Sequence, residues 1–168
     1  MFINGYRLYR ATLGCLRPFR IATGLQENCE ILLVELLTDT GHVGYGEAVP
    51  IPLLTDENLV GCEWTLQEVL PPLLQGKDPW CLREIHNDML SLTRSKSARC
   101  AIDVAVHNLQ AQCAGVSLSR LLGAPRTRYE TNYSIGICSL EETVSLARQF
   151  YEAGYHKIKI KVGLEPDY

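Results

Sequence analysis

The chain has 168 residues, 46% of them hydrophobic and 21% charged, a balance that supports a buried core and excludes an intrinsically disordered chain. Sixteen Lys and Arg against nineteen Asp and Glu give a formal charge of −3, and they are scattered without a basic stripe. A phosphate-neutralising surface is therefore excluded, and nucleic acid and anionic membranes are not expected partners. The length holds one ordinary domain, or a small domain with part of another. The opening residues, Met1 to Arg7, lack a basic start followed by a long apolar stretch, and no apolar run long enough to span a membrane occurs, so a soluble, cytoplasmic protein is expected.

Seven cysteines (Cys15, Cys29, Cys62, Cys81, Cys100, Cys113 and Cys138) are odd in number and form no CxxC pair, so buried, reduced thiols are expected. His42, His86, His107 and His156 show no HxH or HExxH spacing and are read as structural.

In chain order, residues 2–13 alternate loosely and residues 29–38 form an apolar run ending in Asp39-Thr40-Gly41, a turn signature; a third run covers 42–48. This predicts a small antiparallel meander. Residues 56–74 carry apolar side chains at helical spacing (Leu59, Cys62, Leu66, Val69, Leu70, Leu73), and residues 80–92 form a second candidate helix. The strongest helix spans 97–114, with a stripe of Cys100, Ala101, Val104, Ala105, Leu109, Gln112 and Cys113 whose small members allow close packing; Gly115 closes it. A short helical turn at 118–122 follows, and a domain boundary is placed near 124–128. Beyond it, strand 129–137, helix 140–154 and strand 156–162 make a βαβ unit and imply a parallel sheet. Gly41, Gly44 and Gly46, on a hairpin with no helix following, make a poor phosphate loop and are assigned to the turn.

The segment from His156 to Gly163, HKIKIKVG, puts Lys157, Lys159 and Lys161 on one face and Ile158, Ile160 and Val162 on the other. Such a strand can be a solvated edge that deters aggregation. After a βα unit it can instead turn its aliphatic face to helices and its lysines to the centre of a barrel, where Lys161 falls at the C-terminal end that carries chemistry.

Four motifs, in order and across essentially the whole chain, resemble the enolase superfamily of the muconate cycloisomerase and dipeptide epimerase type, the mandelate racemase and muconate lactonizing enzyme family. Arg17-Pro18-Phe19 resembles the (K/R)-P-F entry to its first capping loop, and GHVGYGEA at 41–48 resembles its G-x-x-G-x-G-E signature. SARCAIDVA at 97–105 with the leucine-rich stretch LSRLLG at 118–123 resembles the end of its capping domain, and Lys159-Ile160-Lys161-Val162-Gly163 resembles the K-x-K-(V/L)-G of the second barrel strand. The implied architecture is an α+β N-terminal capping domain, antiparallel meander plus helices, over residues 1–125, followed by the start of a TIM-type (β/α) barrel over 126–168. On this reading the chain stops just after the second barrel strand.

The resemblance implies that Lys161 is the acid/base moving a proton α to a carboxylate and that Lys159 is its electrostatic neighbour. Residues 17–28 and 50–58 correspond to two capping loops that close over substrate, which makes Thr23 and Gly24 candidate contacts. Gly24 stands where an Ala-Glu epimerase would place an arginine, which weighs against an acidic dipeptide side chain. Ser134 faces substrate or fills a barrel layer, and Glu47 is read as structural or loop-anchoring. The family's Mg2+ carboxylates come from later barrel strands, so no metal ligand is assigned here, Glu165 and Asp167 included. Dipeptide epimerisation is the expected parent reaction, with muconate-type cycloisomerisation second and a noncatalytic binding or assembly remnant as the competing class. The 168-residue chain alone is expected to be inactive. Its expected partners are a small carboxylate or dipeptide and either further copies of the chain or a separately encoded barrel remainder.

Overall fold

The computed structural model describes residues 1–124, 126 and 128–163; Glu165 and Asp167 lie outside the described residues. Strands β1 (Ile3–Ile21), β2 (Gly24–Thr38) and β3 (Val43–Ala48) form one sheet in that order. Only Ala22 and Thr23 separate β1 from β2, a connection short enough to permit only antiparallel pairing. β2 and β3 pair antiparallel from Leu32 opposite Ala48 to Leu37 opposite Val43. Gly41, with φ +84°, closes their turn, where the Thr38 hydroxyl donates to the His42 carbonyl at 2.9 Å.

The first two strands run much further than their hydrophobic pattern predicts. Residues 17–28, read above as a capping loop, are a continuation of the hairpin. Backbone pairing needs no apolar alternation, and residues 12–18 are exposed on both faces, so no period-2 signal marks this stretch.

On one face of the sheet Ile3, Leu32, Val34, Leu36 and Ala48 are buried, while Leu33, Glu35 and Tyr45 alternate to the other. The helices of the first part of the chain are α1 (Pro52–Thr55), α2 (Leu59–Trp64), α3 (Leu70–Leu74), α4 (Leu82–Leu92), α5 (Lys96–Cys113) and α6 (Leu118–Leu121). The core they share with the buried sheet face includes Cys62, Leu66, Leu70, Ile85, Met89 and Ile102. The helix expected over 56–74 is divided by a π-helical turn, Thr65–Val69, in which the Leu70 N–H donates to the Thr65 carbonyl. Pro71 and Pro72 explain it: neither has an N–H for the carbonyls four residues back, and each ring crowds that carbonyl, so the ladder widens just before them.

Ser95 caps α5, its hydroxyl accepting from the Ala98 N–H at 3.2 Å. The face α5 buries is rotated from the expected stripe: Ala98, Ala101, Ile102, Ala105, Val106 and Leu109 are fully buried, whereas Cys100, Val104, Gln112 and Cys113 are exposed. Its small residues meet β3. A Cβ on Gly46 would overlap the Ala101 carbonyl, and one on Gly44 would overlap the Ala105 carbonyl. The assignment of all three motif glycines to the turn therefore holds for Gly41 alone; Gly44 and Gly46 let a strand lie directly on a helix backbone. α5 also satisfies the outer edge of β3. The Asn108 side-chain oxygen accepts from the Tyr45 N–H at 3.1 Å, and the Gln112 amide donates to the Val43 carbonyl at 2.7 Å.

The expectation of buried thiols is corrected in most cases. Cys62 is buried, but Cys15, Cys81, Cys100 and Cys113 are exposed and Cys138 is half-buried. The exposure of each thiol follows the face its position takes on the helix or strand, and helical spacing alone does not tell the two faces of α5 apart.

The fold divides into two units: Met1–Thr12 with Glu30–Pro125, and Leu13–Cys29 with Arg126–Tyr168. The end of the β1–β2 hairpin, counted above with the first domain, thus packs within the second unit. That unit contains β4 (Tyr133–Ile135), α7 (Leu140–Glu152) and β5 (Ile158–Ile160), both strands shorter than predicted. No described helix is long and apolar enough to cross a membrane.

Gly46→Ala forces the β3 and α5 backbones apart and should lower stability by about 3 kcal/mol. Gly76→Ala, at φ +75° with open space around the added methyl, should cost about 1 kcal/mol. Urea midpoints of the two variants measure the difference.

Candidate active site

β4 and β5 pair in parallel, with Tyr133, Ser134 and Ile135 opposite Ile158, Lys159 and Ile160. Two further backbone bonds extend the ladder: Tyr133 N–H to the Lys157 carbonyl at 3.1 Å and Lys161 N–H to the Ile135 carbonyl at 3.0 Å. The helix between them starts at Ser139, whose hydroxyl accepts from the Glu142 N–H at 3.2 Å, and carries Glu141 and Glu142 in its first turn, as the helix dipole favours.

One face of this pair packs on α7. The Tyr133 ring stacks on Phe150 with centroids 3.4 Å apart, Tyr155 meets both edge-on, and Ile135 is fully buried. Parallel pairing places opposed side chains on the same side of the sheet, so Ser134 and Lys159 share the other face, and Lys161 joins them two residues on. Lys159 is exposed and Lys161 half-buried. Lys157 is held by Glu130, Nζ to Oε2 at 2.6 Å. The aliphatic face of β5 is less covered than its pattern predicts: Ile158 is half-buried, but Ile160 is 46% and Val162 78% exposed.

The hairpin end reaches this unit. The Ile137 N–H, just past β4, donates to the Arg20 carbonyl at 2.8 Å, and Gly136 lies so close that an added Cβ would stand 3.0 Å from the Arg20 nitrogen. A pocket of about 690 Å³ lies between hairpin and βαβ, lined by Arg17, Phe19, Arg20, Ser134, Glu142 and Phe150 among others. Thr23 and Gly24, both exposed at the hairpin turn, are not in its lining, nor are Lys159 and Lys161. The structure therefore groups Ser134 with the two lysines on one face, and puts Thr23 and Gly24 at the end of an arm anchored beside the same strand. That anchoring had no sequence signal, because residues 20 and 137 are far apart in the chain.

The segment 50–58 is ordered by its own contacts within the first unit. Pro52 opens α1, Asp56 ends it in the left-handed region (φ 58°, ψ 28°), and the Asn58 side chain accepts from the Gly61 N–H at 2.8 Å to cap α2. Between Asp56 and Asn58, the Glu57 carboxylate accepts from the Ser97 backbone N–H at 3.1 Å and the Ser97 hydroxyl at 2.7 Å, at the N-terminus of α5. Partial burial works against its charge, but hydrogen bonds from Ser95, Ser97 and the Lys96 backbone outweigh it and hold the carboxyl below its ordinary value. Glu57 lines a pocket of about 470 Å³ with Cys62, Arg94, Ser95 and Lys96. Burial pushes the Cys62 thiol up to about 11, with Glu57 and Glu63 adding to the rise. Nearby, the buried Tyr6 hydroxyl has no hydrogen-bond partner among the described residues, and burial raises its pKa.

Among the described residues no three His, Cys, Asp or Glu side chains converge to hold a metal ion. Glu47 is exposed on β3, opposite Leu33.

Residues 8–123 match the family model described as "Mandelate racemase / muconate lactonizing enzyme, N-terminal domain". The chain is 32% identical over 155 residues to an L-Ala-D/L-Glu epimerase of Bacillus subtilis, covering 92% of the chain and 42% of that protein. Its fold superposes with TM-score 0.93 and 30% identity on a dipeptide epimerase from Enterococcus faecalis complexed with Mg and the dipeptide L-Leu-L-Tyr, covering 97% of this chain and 46% of that one. A 2-chloromuconate cycloisomerase from Rhodococcus opacus matches with TM-score 0.90 and 25% identity over 99% of this chain and 46% of that one. The chain spans less than half the length of the relatives it matches.

Glu57→Ala should lower stability at neutral pH by about 1 kcal/mol, the worth of a hydrogen-bonded carboxylate at a helix N-terminus. Because the folded-state pKa of Glu57 is depressed, its contribution is present above the ordinary value of 4.5 and is lost as pH falls through the lower folded value. The stability gap between wild type and variant, measured by denaturation from pH 7 to pH 3, should therefore close on acidification.

Proposed function

We infer a function from one premise: the chain belongs to the mandelate racemase and muconate lactonizing enzyme family of the enolase superfamily, of which it carries the α+β N-terminal capping domain and the start of the barrel. We propose that it is the N-terminal part of an isomerase that removes the proton α to a substrate carboxylate, and that the substrate is a dipeptide epimerised at that carbon. The observation that supports this reading is the common face of Ser134, Lys159 and Lys161 on paired parallel strands, with Lys161 at the C-terminal end. In closed parallel barrels that end carries the chemistry.

On this reading the Lys161 amine takes the α-proton from one face of the carbon, its electron pair spreads onto the carboxylate, and an acid from the remainder of the complete parent enzyme delivers a proton to the opposite face, which inverts the centre. The Lys159 ammonium, two residues back on the same face, meets that developing negative charge. Ser134, Thr23 and Gly24 contact the substrate. The absence of an arginine at Gly24 favours a dipeptide without an acidic side chain. The Enterococcus faecalis relative is described with Mg, and a magnesium ion in the complete parent enzyme would further stabilise the enediolate. The described residues do not fit such a site, so its ligands would come from elsewhere, and the proton abstraction above rests on the lysines alone. The remaining barrel strands are the proposed partner of this segment, and the cytoplasm its proposed location. Cycloisomerisation is the second reading, favoured by the likeness to the 2-chloromuconate cycloisomerase.

The test is incorporation of solvent deuterium at the α-carbon of L-dipeptides, followed by proton NMR in the presence of magnesium. The 168-residue chain alone should give none; the same segment joined to the rest of a barrel should give it, and Lys161→Ala should slow it about 10²–10⁴-fold. Exchange that survives Lys161→Ala at the wild-type rate would refute the assignment of the base. Lactone formation from a muconate without dipeptide exchange would favour the second reading.

A further inference from the structure

We infer that Arg17 is a positioning residue: its guanidinium latches the β1–β2 hairpin onto α7 and so fixes where the turn at Thr23 and Gly24 stands. The inference rests on the function proposed above for that turn, but the latch itself is a matter of geometry within one unit, since Leu13–Cys29 packs with β4, α7 and β5.

Arg17 makes two contacts with successive residues of α7. Its Nη2 donates to the Gln149 side-chain oxygen at 3.2 Å, and its guanidinium carbon stands 5.5 Å from the centre of the Phe150 ring. The ring is a fixed platform: Phe150 is 8% exposed, and its stack on Tyr133 ties it to the residue just before Ser134. A planar guanidinium can stack and donate at once, which a lysine ammonium cannot do with the same geometry. Pro18 restricts Arg17 to extended backbone, so the side chain leaves the strand from a prearranged position.

Arg17 is also spaced to act with the second anchor. Three residues on, the Arg20 carbonyl receives the Ile137 N–H at 2.8 Å. Thr23 lies three residues beyond that, in the turn that closes the hairpin. Arg20 and the Phe19 side chain meet the backbone just past β4, and Arg17 adds an attachment on α7 that helps fix the direction of the arm. An ordinary surface pair would leave the hairpin indifferent to its loss, whereas a latch makes the Arg20–Ile137 bond depend on a side chain that does not touch it.

Amide hydrogen exchange on the 168-residue chain tests the latch. Arg17→Ala and Phe150→Leu should each speed exchange at Ile137 and across residues 14–28 about tenfold while leaving α5 unchanged. The double variant should exchange more slowly than the sum of the two single effects requires, because the Arg17–Phe150 contact is lost only once, while Phe150→Leu also loses the stack on Tyr133. Arg17→Lys should fall between wild type and Arg17→Ala. Exchange within twofold of wild type in Arg17→Ala, or an equal rise in α5, would overturn the latch. Should Arg17→Ala fail to fold, Gln149→Ala, which removes only the hydrogen-bond acceptor, is read in the same way. In a form joined to a barrel that supports α-proton exchange, Arg17→Ala should raise the dipeptide KM about tenfold with kcat within twofold, and Arg17→Lys should recover part of the loss. Unchanged KM beside faster amide exchange would overturn the positioning role. Absence of activity in the wild-type joined form would count against the proposed function and leave the amide-exchange result standing.

Discussion

The first unit is organised by the contact of two backbones. Gly44 and Gly46 present no side chain to α5, and α5 answers with Ala101 and Ala105, so strand and helix approach until the Ala101 and Ala105 carbonyls occupy the space a Cβ would need. This contact sets the depth at which α5 lies, and with it the positions of Ile102, Val106 and Leu109 in the core shared with Leu32, Val34 and Leu36. It also brings Asn108 and Gln112 alongside the outer edge of β3, where they take the place of a fourth strand. Because interiors are close-packed, a methyl group added at this seam cannot be absorbed locally.

Much of this was legible in the residues, and what was not has identifiable causes. The meander and the longer helices of the first unit carry a local hydrophobic period, which the chain must satisfy wherever it folds, whereas the four-residue α1, inside the segment read as a capping loop, carries none. The hairpin end does not. Its residues are mostly exposed, so the pairing that extends β1 to Ile21 rests on backbone hydrogen bonds that any sequence can make. The motif glycines were visible, but their purpose was not: a glycine needed for φ and a glycine needed for close approach look the same in a sequence, and only the partner helix distinguishes Gly41 from Gly44 and Gly46. Small residues on several sides of α5 blur its stripe, so the buried face is rotated from the one its spacing suggests.

The lysine face shows the same division. Alternation on a single strand is a local property, so Lys159 and Lys161 could be placed together from the sequence. That Ser134 is directly opposite Lys159 is a matter of parallel register across a crossover, and no local pattern encodes it. Nor does one encode the Arg20–Ile137 bond, which joins residues far apart in the chain. The functional reading therefore depends on two nonlocal facts, a register and a docked hairpin, added to one local pattern.

The two units also differ in what holds them. The first encloses a continuous core of aliphatic side chains between sheet and helices. The second relies on Ile135 and the cluster of Tyr133, Phe150 and Tyr155, while Leu140, Val144, Tyr151, Ile160 and Val162 remain exposed. Parallel sheets are ordinarily covered on both faces, and a two-stranded one buries little by itself. The contacts that bring the hairpin end onto β4 and α7 are then a substantial share of what orders this unit, which makes the stability of the lysine face and the placement of the hairpin one problem. A substitution that loosens Tyr133 or Phe150 disturbs the strand bearing Ser134 and the ring beneath Arg17 together, so its effects on fold and on chemistry cannot be separated by activity alone.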